Sequence, residues 1–108
     1  MFDIDFKPTF MAEVAVRIPS GASHLEQIFM ATFEALDIPE LEAFDLATPA
    51  GAQAFCERVF VGASDLVSGG KPIGFSAEVR DTIIGKSWAR SALVDAYLAG
   101  LRKAAAGN

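Results

Sequence analysis

Gly69-Gly70-Lys71 is the one stretch of this chain whose residue types invite a chemical reading, since glycine-rich loops ending in lysine can cradle a phosphate. The phosphate loop also needs a glycine five residues ahead of the Gly-Lys pair and a Ser or Thr after it. Here Ser64 or Asp65 stands at the first position and Pro72 follows the lysine, so the triplet reads as a surface turn. Cys56 would be a nucleophile only with a base or a helix start to lower its pKa. It falls instead beside Phe55 and Val59 on an apolar helical face, which predicts an inert buried thiol. The lone histidine, His24, sits in a turn with Ser23 and Glu26 and reads as solvated. Glu40, Glu42, Asp45, Glu57 and Asp65 are the carboxylates that could pair for acid–base chemistry. They fit better as polar helix faces, with Glu40 completing a cap. One loop histidine does not assemble a Ser-His-Asp array. The expectation is a protein with no catalytic, metal or cofactor site.

The elements that would position these residues follow from period and caps. Phe10, Ala12, Val14, Val16 and Ile18 alternate with Met11, Glu13, Ala15 and Arg17, which predicts a half-buried strand. After the turn formers Pro19-Ser20-Gly21-Ala22-Ser23, a second alternation runs from Leu25 to Leu36 through Phe29, Ala31, Phe33 and Ala35, giving a β-hairpin. Ile28 and Met30 make this second strand apolar on both faces, so it is either covered twice or set against another chain. Asp37, Pro39 and Glu40 start a short helix through Phe44, and Thr48-Pro49 starts another. Ala52, Phe55, Cys56, Val59, Phe60 and Ala63 are spaced by three and four, which extends that helix to about Leu66 or Val67. Ser68 to Pro72 breaks it. Ser76 caps a third helix, with Val79, Ile83 and Ile84 inward, that ends at Gly85. From Ser87 the pairs Trp88/Ala89, Ala92/Leu93, Ala96/Tyr97 and Gly100/Leu101 recur every four residues in a final helix. The predicted class is α+β: one domain over 1–108, an antiparallel hairpin at about 9–36, then about four helices over about 38–105.

Composition bounds the function. The 108 residues suit one domain. A net charge of −5 with scattered basic residues argues against a nucleic-acid groove. No apolar run approaches a bilayer span, Phe2, Asp3 and Asp5 do not make a signal peptide, and one cysteine forms no internal disulfide. A soluble cytoplasmic protein is expected. Residues of the hydrophobic types make up 52 % of the chain and include nine Phe, more than a small domain readily hides. The excess is either a Phe-rich core with surface alanines or an exposed contact patch. Phe29, Phe33, Phe75, Trp88, Tyr97 and Leu101 are the candidate partner-binding residues. Core is the competing assignment, preferred for Trp88 and left open for Tyr97 because its hydroxyl needs a partner.

Several short motifs resemble the tail assembly chaperones of long-tailed bacteriophages and prophages. They are Phe6-Lys7-Pro8-Thr9-Phe10 before the first strand, Val61-Gly62-Ala63-Ser64-Asp65-Leu66, the Pro72-Ile73-Gly74-Phe75-Ser76 loop that caps a helix, and Tyr97-Leu98 in a last helix with a basic, Asn-ended tail. The likeness is strongest from about Gly51 to Asn108. Ala63 departs from the tryptophan often found after the glycine, and Ala-Ala-Ala-Gly separates Lys103 from Asn108. The resemblance implies a non-catalytic protein of the host bacterial cytoplasm, a homo-oligomer that binds the tape measure protein and helps recruit tail tube protein. It also implies a longer form made by ribosomal frameshifting near Arg102 to Asn108. The alternative is a non-phage bacterial α+β adaptor or regulatory subunit for one folded partner.

Overall fold

Two twelve-residue strands set the frame of the molecule, a computed structural model that describes residues 1–105. β1 (Thr9–Ser20) and β2 (Ser23–Glu34) pair antiparallel in unbroken register, from Thr9 opposite Glu34 to Ser20 opposite Ser23. Only Gly21 and Ala22 separate them. Gly21 takes φ 59° at the first turn position, a conformation that suits glycine and matches the twist of the flanking strands. The alternation read from the sequence is the alternation of burial. Val14, Val16, Phe29, Ala31 and Phe33 are buried, whereas Met11, Glu13, Ala15, Arg17 and Ile28 are exposed.

The helices begin where the caps place them. α1 (Ile38–Glu42) carries a full capping box between Asp37 and Glu40, and ends two residues earlier than expected. α2 (Pro49–Val59) starts on Thr48, whose hydroxyl accepts from Gly51 N–H at 3.0 Å. It does not continue to Leu66. Phe60–Ser64 leaves the helix as β3 and pairs antiparallel with Met30–Phe33 of β2, giving a sheet of order β1-β2-β3. The helical spacing of Phe60 and Ala63 is outweighed by open backbone groups on the second edge of β2, which a strand can satisfy and a longer helix cannot. Gly62 permits the close fit, because a Cβ there would stand 3.2 Å from that of Thr32.

Asp65, at φ 64°, turns the chain out of this sheet. β4 (Leu66–Ser68) and β5 (Lys71–Ile73) then form a small hairpin about Gly69-Gly70, both at positive φ. The glycine pair is therefore a turn between strands and not between helices. α3 (Ala77–Ile84) is capped by Ser76, and α4 (Ser87–Ala105) closes the fold. The architecture is α+β: an antiparallel hairpin, four helices among the described residues, and three further strands the sequence reading missed.

α4 runs along β1, while α2 lies against β2, β3 and α4. Between them sits a core of Phe33, Phe55, Phe60, Val14, Val59, Ile84, Leu93 and Tyr97, each at most 2 % exposed. Its centre is aromatic: the Tyr97 ring meets Phe55 edge-on at 4.9 Å and Phe33 at 5.3 Å between centroids. Arg58 of α2 bridges Glu34 of β2 and Glu40 of α1, tying three elements at the rim.

Candidate functional site: an apolar cleft beside Trp88

β3 covers only the Met30–Phe33 part of β2. Beyond it, the turn half of the main hairpin stands apart from β4, the end of α3 and the start of α4, leaving a cleft of about 220 Å³. Its walls are Val16, Ile18, Ile28 and Phe29 on one side and Leu66, Val67, Ile83, Trp88 and Ala89 on the other. Val67 is 67 % exposed, Ile28 50 % and Trp88 38 %. Large side chains this open, adjacent in space, form the kind of surface that protein partners cover. Polar groups stand around it: Asp65 and Gln27, and Lys86, whose ammonium is 6.0 Å from the centre of the Trp88 ring. An apolar floor with a polar surround and a tryptophan at its edge is the usual anatomy of a contact site.

The six residues proposed from sequence divide sharply. Phe29, Phe33 and Tyr97 are 7 %, 0 % and 0 % exposed, and are corrected to core. They lie on the inward period of β2 and α4, and their rings fill the space between sheet and helices. Tyr97 finds its hydroxyl partners inside the protein. Leu36 N–H donates to it at 2.8 Å, and the hydroxyl donates to Glu34 O at 3.0 Å. Phe75 is half-buried, edge-on to Phe60 at 5.1 Å, and Leu101 is half-buried on α4. Trp88 moves the opposite way. Preferred as core, it is exposed at the lip of the cleft, because Ala89 takes the inward position at the start of α4. Trp88 thus joins Ile28, Val67 and Ile83, which the sequence reading did not single out as site residues. Two signals could have found them: the apolar outer face of β2, and Leu66-Val67 leading into a Gly-Gly turn that Ile73 follows.

The groups weighed for chemistry are placed apart. Cys56 is 1 % exposed, and burial pushes its thiol up to about 11, against a smaller lowering by Arg90. His24 is exposed on β2 and lies beside the Arg17 guanidinium across the hairpin. Among the described residues no group of three or more His, Cys, Asp or Glu is placed to hold a metal ion. No helix among them is long and apolar enough to cross a membrane. Gly107 and Asn108, with the tail motif they complete, lie outside the described residues. No family model matches the chain, and no match is found among curated proteins or solved structures.

Proposed function

We propose that this protein is a tail assembly chaperone: it binds the tape measure protein of a long-tailed phage or prophage in the host cytoplasm, keeps it soluble, and helps tail tube subunits gather on it. The observation that carries the reading is the open apolar cleft at Trp88. A tape measure protein is a long helical chain, and one helical turn presents apolar side chains at i, i+3 and i+4, spaced to fill a short groove. Ile18, Val67 and Trp88 offer such a helix an apolar bed, with Lys86 and Asp65 at its margin to set direction. The motifs at Val61–Leu66 and Pro72–Ser76 support the same reading. Asp65 and Leu66 of the first line the cleft, and the second supplies Ile73, which pairs with Leu66 in the small hairpin, and the Ser76 cap of α3.

The test uses the tape measure protein encoded beside this gene. The two proteins, co-expressed, should remain soluble and co-purify, and the fluorescence of Trp88, the chain's single tryptophan, should shift to the blue as its ring is covered. A tape measure protein that stays insoluble, or leaves the Trp88 emission unchanged, would refute the reading. Flanking genes other than tail tube and tape measure genes would favour the adaptor alternative.

A further inference from the structure

Ahead of β1 the chain reads Phe2-Asp3-Ile4-Asp5-Phe6-Lys7, apolar and charged residues alternating with the period of a strand. In this molecule the segment is not a strand. Phe6 N–H donates to Asp3 O at 3.3 Å and Asp5 N–H to Asp3 Oδ1 at 3.0 Å, which curls it into a local turn. Phe2, Ile4 and Phe6 are 88 %, 84 % and 69 % exposed. Its own body gives it little to bind: the hollow beside it carries Asp37 and Glu40, of the same sign as Asp3 and Asp5. Pro8 fixes the point from which it swings, because the Pro8 carbonyl accepts from Ala35 N–H at 2.9 Å.

A strand of this pattern lacks only an edge, and β1 has one. With a two-residue turn, Ser20 and Ser23 form a hydrogen-bonded pair, and the bonded pairs then alternate along the hairpin. The N–H and C=O groups of Arg17, Ala15, Glu13 and Met11 therefore point away from β2, and they have no hydrogen-bond partner among the described residues. Pro19, which has no N–H to offer, falls in the same outward set, where an edge tolerates proline.

We infer that Phe2–Lys7 of one copy adds as an antiparallel strand to the β1 edge of a second copy. Charge selects the register. With Asp3 opposite Arg17, Asp5 lies opposite Ala15 and Lys7 opposite Glu13, so both ion pairs are complementary on the solvent face. The same register sets Phe2, Ile4 and Phe6 beside Ile18, Val16 and Val14 on the face that α4 covers. Sliding by two residues one way opposes Asp5 to Glu13; sliding the other way leaves Lys7 opposite Ala15. Arg17 would then stand between the partner's Asp3 and its own cross-strand neighbour Glu26. Just beyond Phe6, where Lys7 and Pro8 fall beside Glu13 and Ala12, a trough of about 520 Å³ separates α4 from the Phe10–Glu13 edge, bordered by the small residues Ala96, Ala99 and Gly100. The inference is independent of the tape measure reading, since it concerns copies of this chain alone.

Sedimentation velocity on the full chain over a wide concentration range tests it. The mass should rise with concentration. Deletion of Phe2–Lys7 and, separately, Ala15→Pro should each give a monomer, and mixing these two silent variants should restore a one-to-one pair, because one keeps the edge and the other the strand. Asp3→Arg or Arg17→Asp alone should weaken association about two- to five-fold, and the double variant should regain it. A wild-type chain that stays monomeric, or association that survives the deletion, overturns the proposal. So does a mixture of the two variants that fails to pair while both show native circular dichroism. If Ala15→Pro unfolds, the charge exchange decides, and a double variant no tighter than its singles overturns the proposal.

Discussion

Tyr97 and Cys56 show what burial does to single side chains here. The Tyr97 hydroxyl is held between Glu34 O and Leu36 N–H at the point where β2 ends. Tyr97→Phe would remove the hydroxyl to which the buried Leu36 N–H donates, at a residue 0 % exposed. We expect a loss of about 1–3 kcal/mol, read from urea unfolding midpoints. Cys56 makes a prediction about pH. Its folded thiol titrates near 11 against 9.0 ordinarily, with burial the main cause. Below pH 9 both states keep the proton and stability is flat. Between 9 and 11 the unfolded chain loses the proton first, so stability should fall by up to roughly 1.4 kcal/mol per pH unit. Tyr97 is shifted upward as well, again mainly by burial, and adds to the fall at the alkaline end. Cys56→Ala should remove the decline between pH 9 and 10 in thermal melts, and native Cys56 should resist thiol reagents at pH 8 that label the unfolded chain.

At the scale of elements, α2 is the segment most tightly fixed at its start. The Thr48 hydroxyl caps it, and Gly51 passes so close to the preceding loop that a Cβ there would fall on the Asp45 carbonyl oxygen. Thr48→Ala should cost about 1 kcal/mol, the ordinary value of a cap. Gly51→Ala should cost more, roughly 1–3 kcal/mol, although alanine is the better helix former, because backbone must move. The order of the two variants in a denaturation series checks the point. The far end of α2 taught the opposite lesson about legibility. Asp37, Thr48 and Ser76 announced their helices because a cap is a bond to a residue three positions on, visible in any short window. Val59-Phe60 announced no helix end, because the competing partner is Met30–Phe33, some thirty residues away.

For the whole molecule, most of the exposed large apolar residues fall in three places, the cleft at Trp88, the outer sheet face with Met11 and Val61, and the segment before β1, while Ile38 on α1 and Leu25 near the hairpin turn stand apart. Stability and binding should therefore separate by mutation. Leu93→Ala, at a residue 1 % exposed, should cost about 2–5 kcal/mol. Trp88→Ala should cost clearly less, yet weaken capture of the tape measure protein by at least tenfold, as loss of an aromatic anchor does. Comparing melting temperature with pull-down yield for the two variants checks this. Equal effects on both readouts would place Trp88 in the core after all.

Local chemistry in the sequence was enough for the hairpin, the helix starts, the Gly-Gly turn and the inert thiol. Each depends on period, a cap or a backbone conformation within a few residues. Tertiary structure alone decided which apolar residues face inward: it exposed Trp88, which reads from sequence as core, and buried Tyr97, which the sequence leaves open. Both lie on one apolar stripe of α4, and a stripe broader than the helix's contact with the sheet does not say which of its edges is covered. That was settled by Leu36, sixty-one residues from Tyr97, whose N–H reaches its hydroxyl, and by Ala89, which takes the buried place next to Trp88.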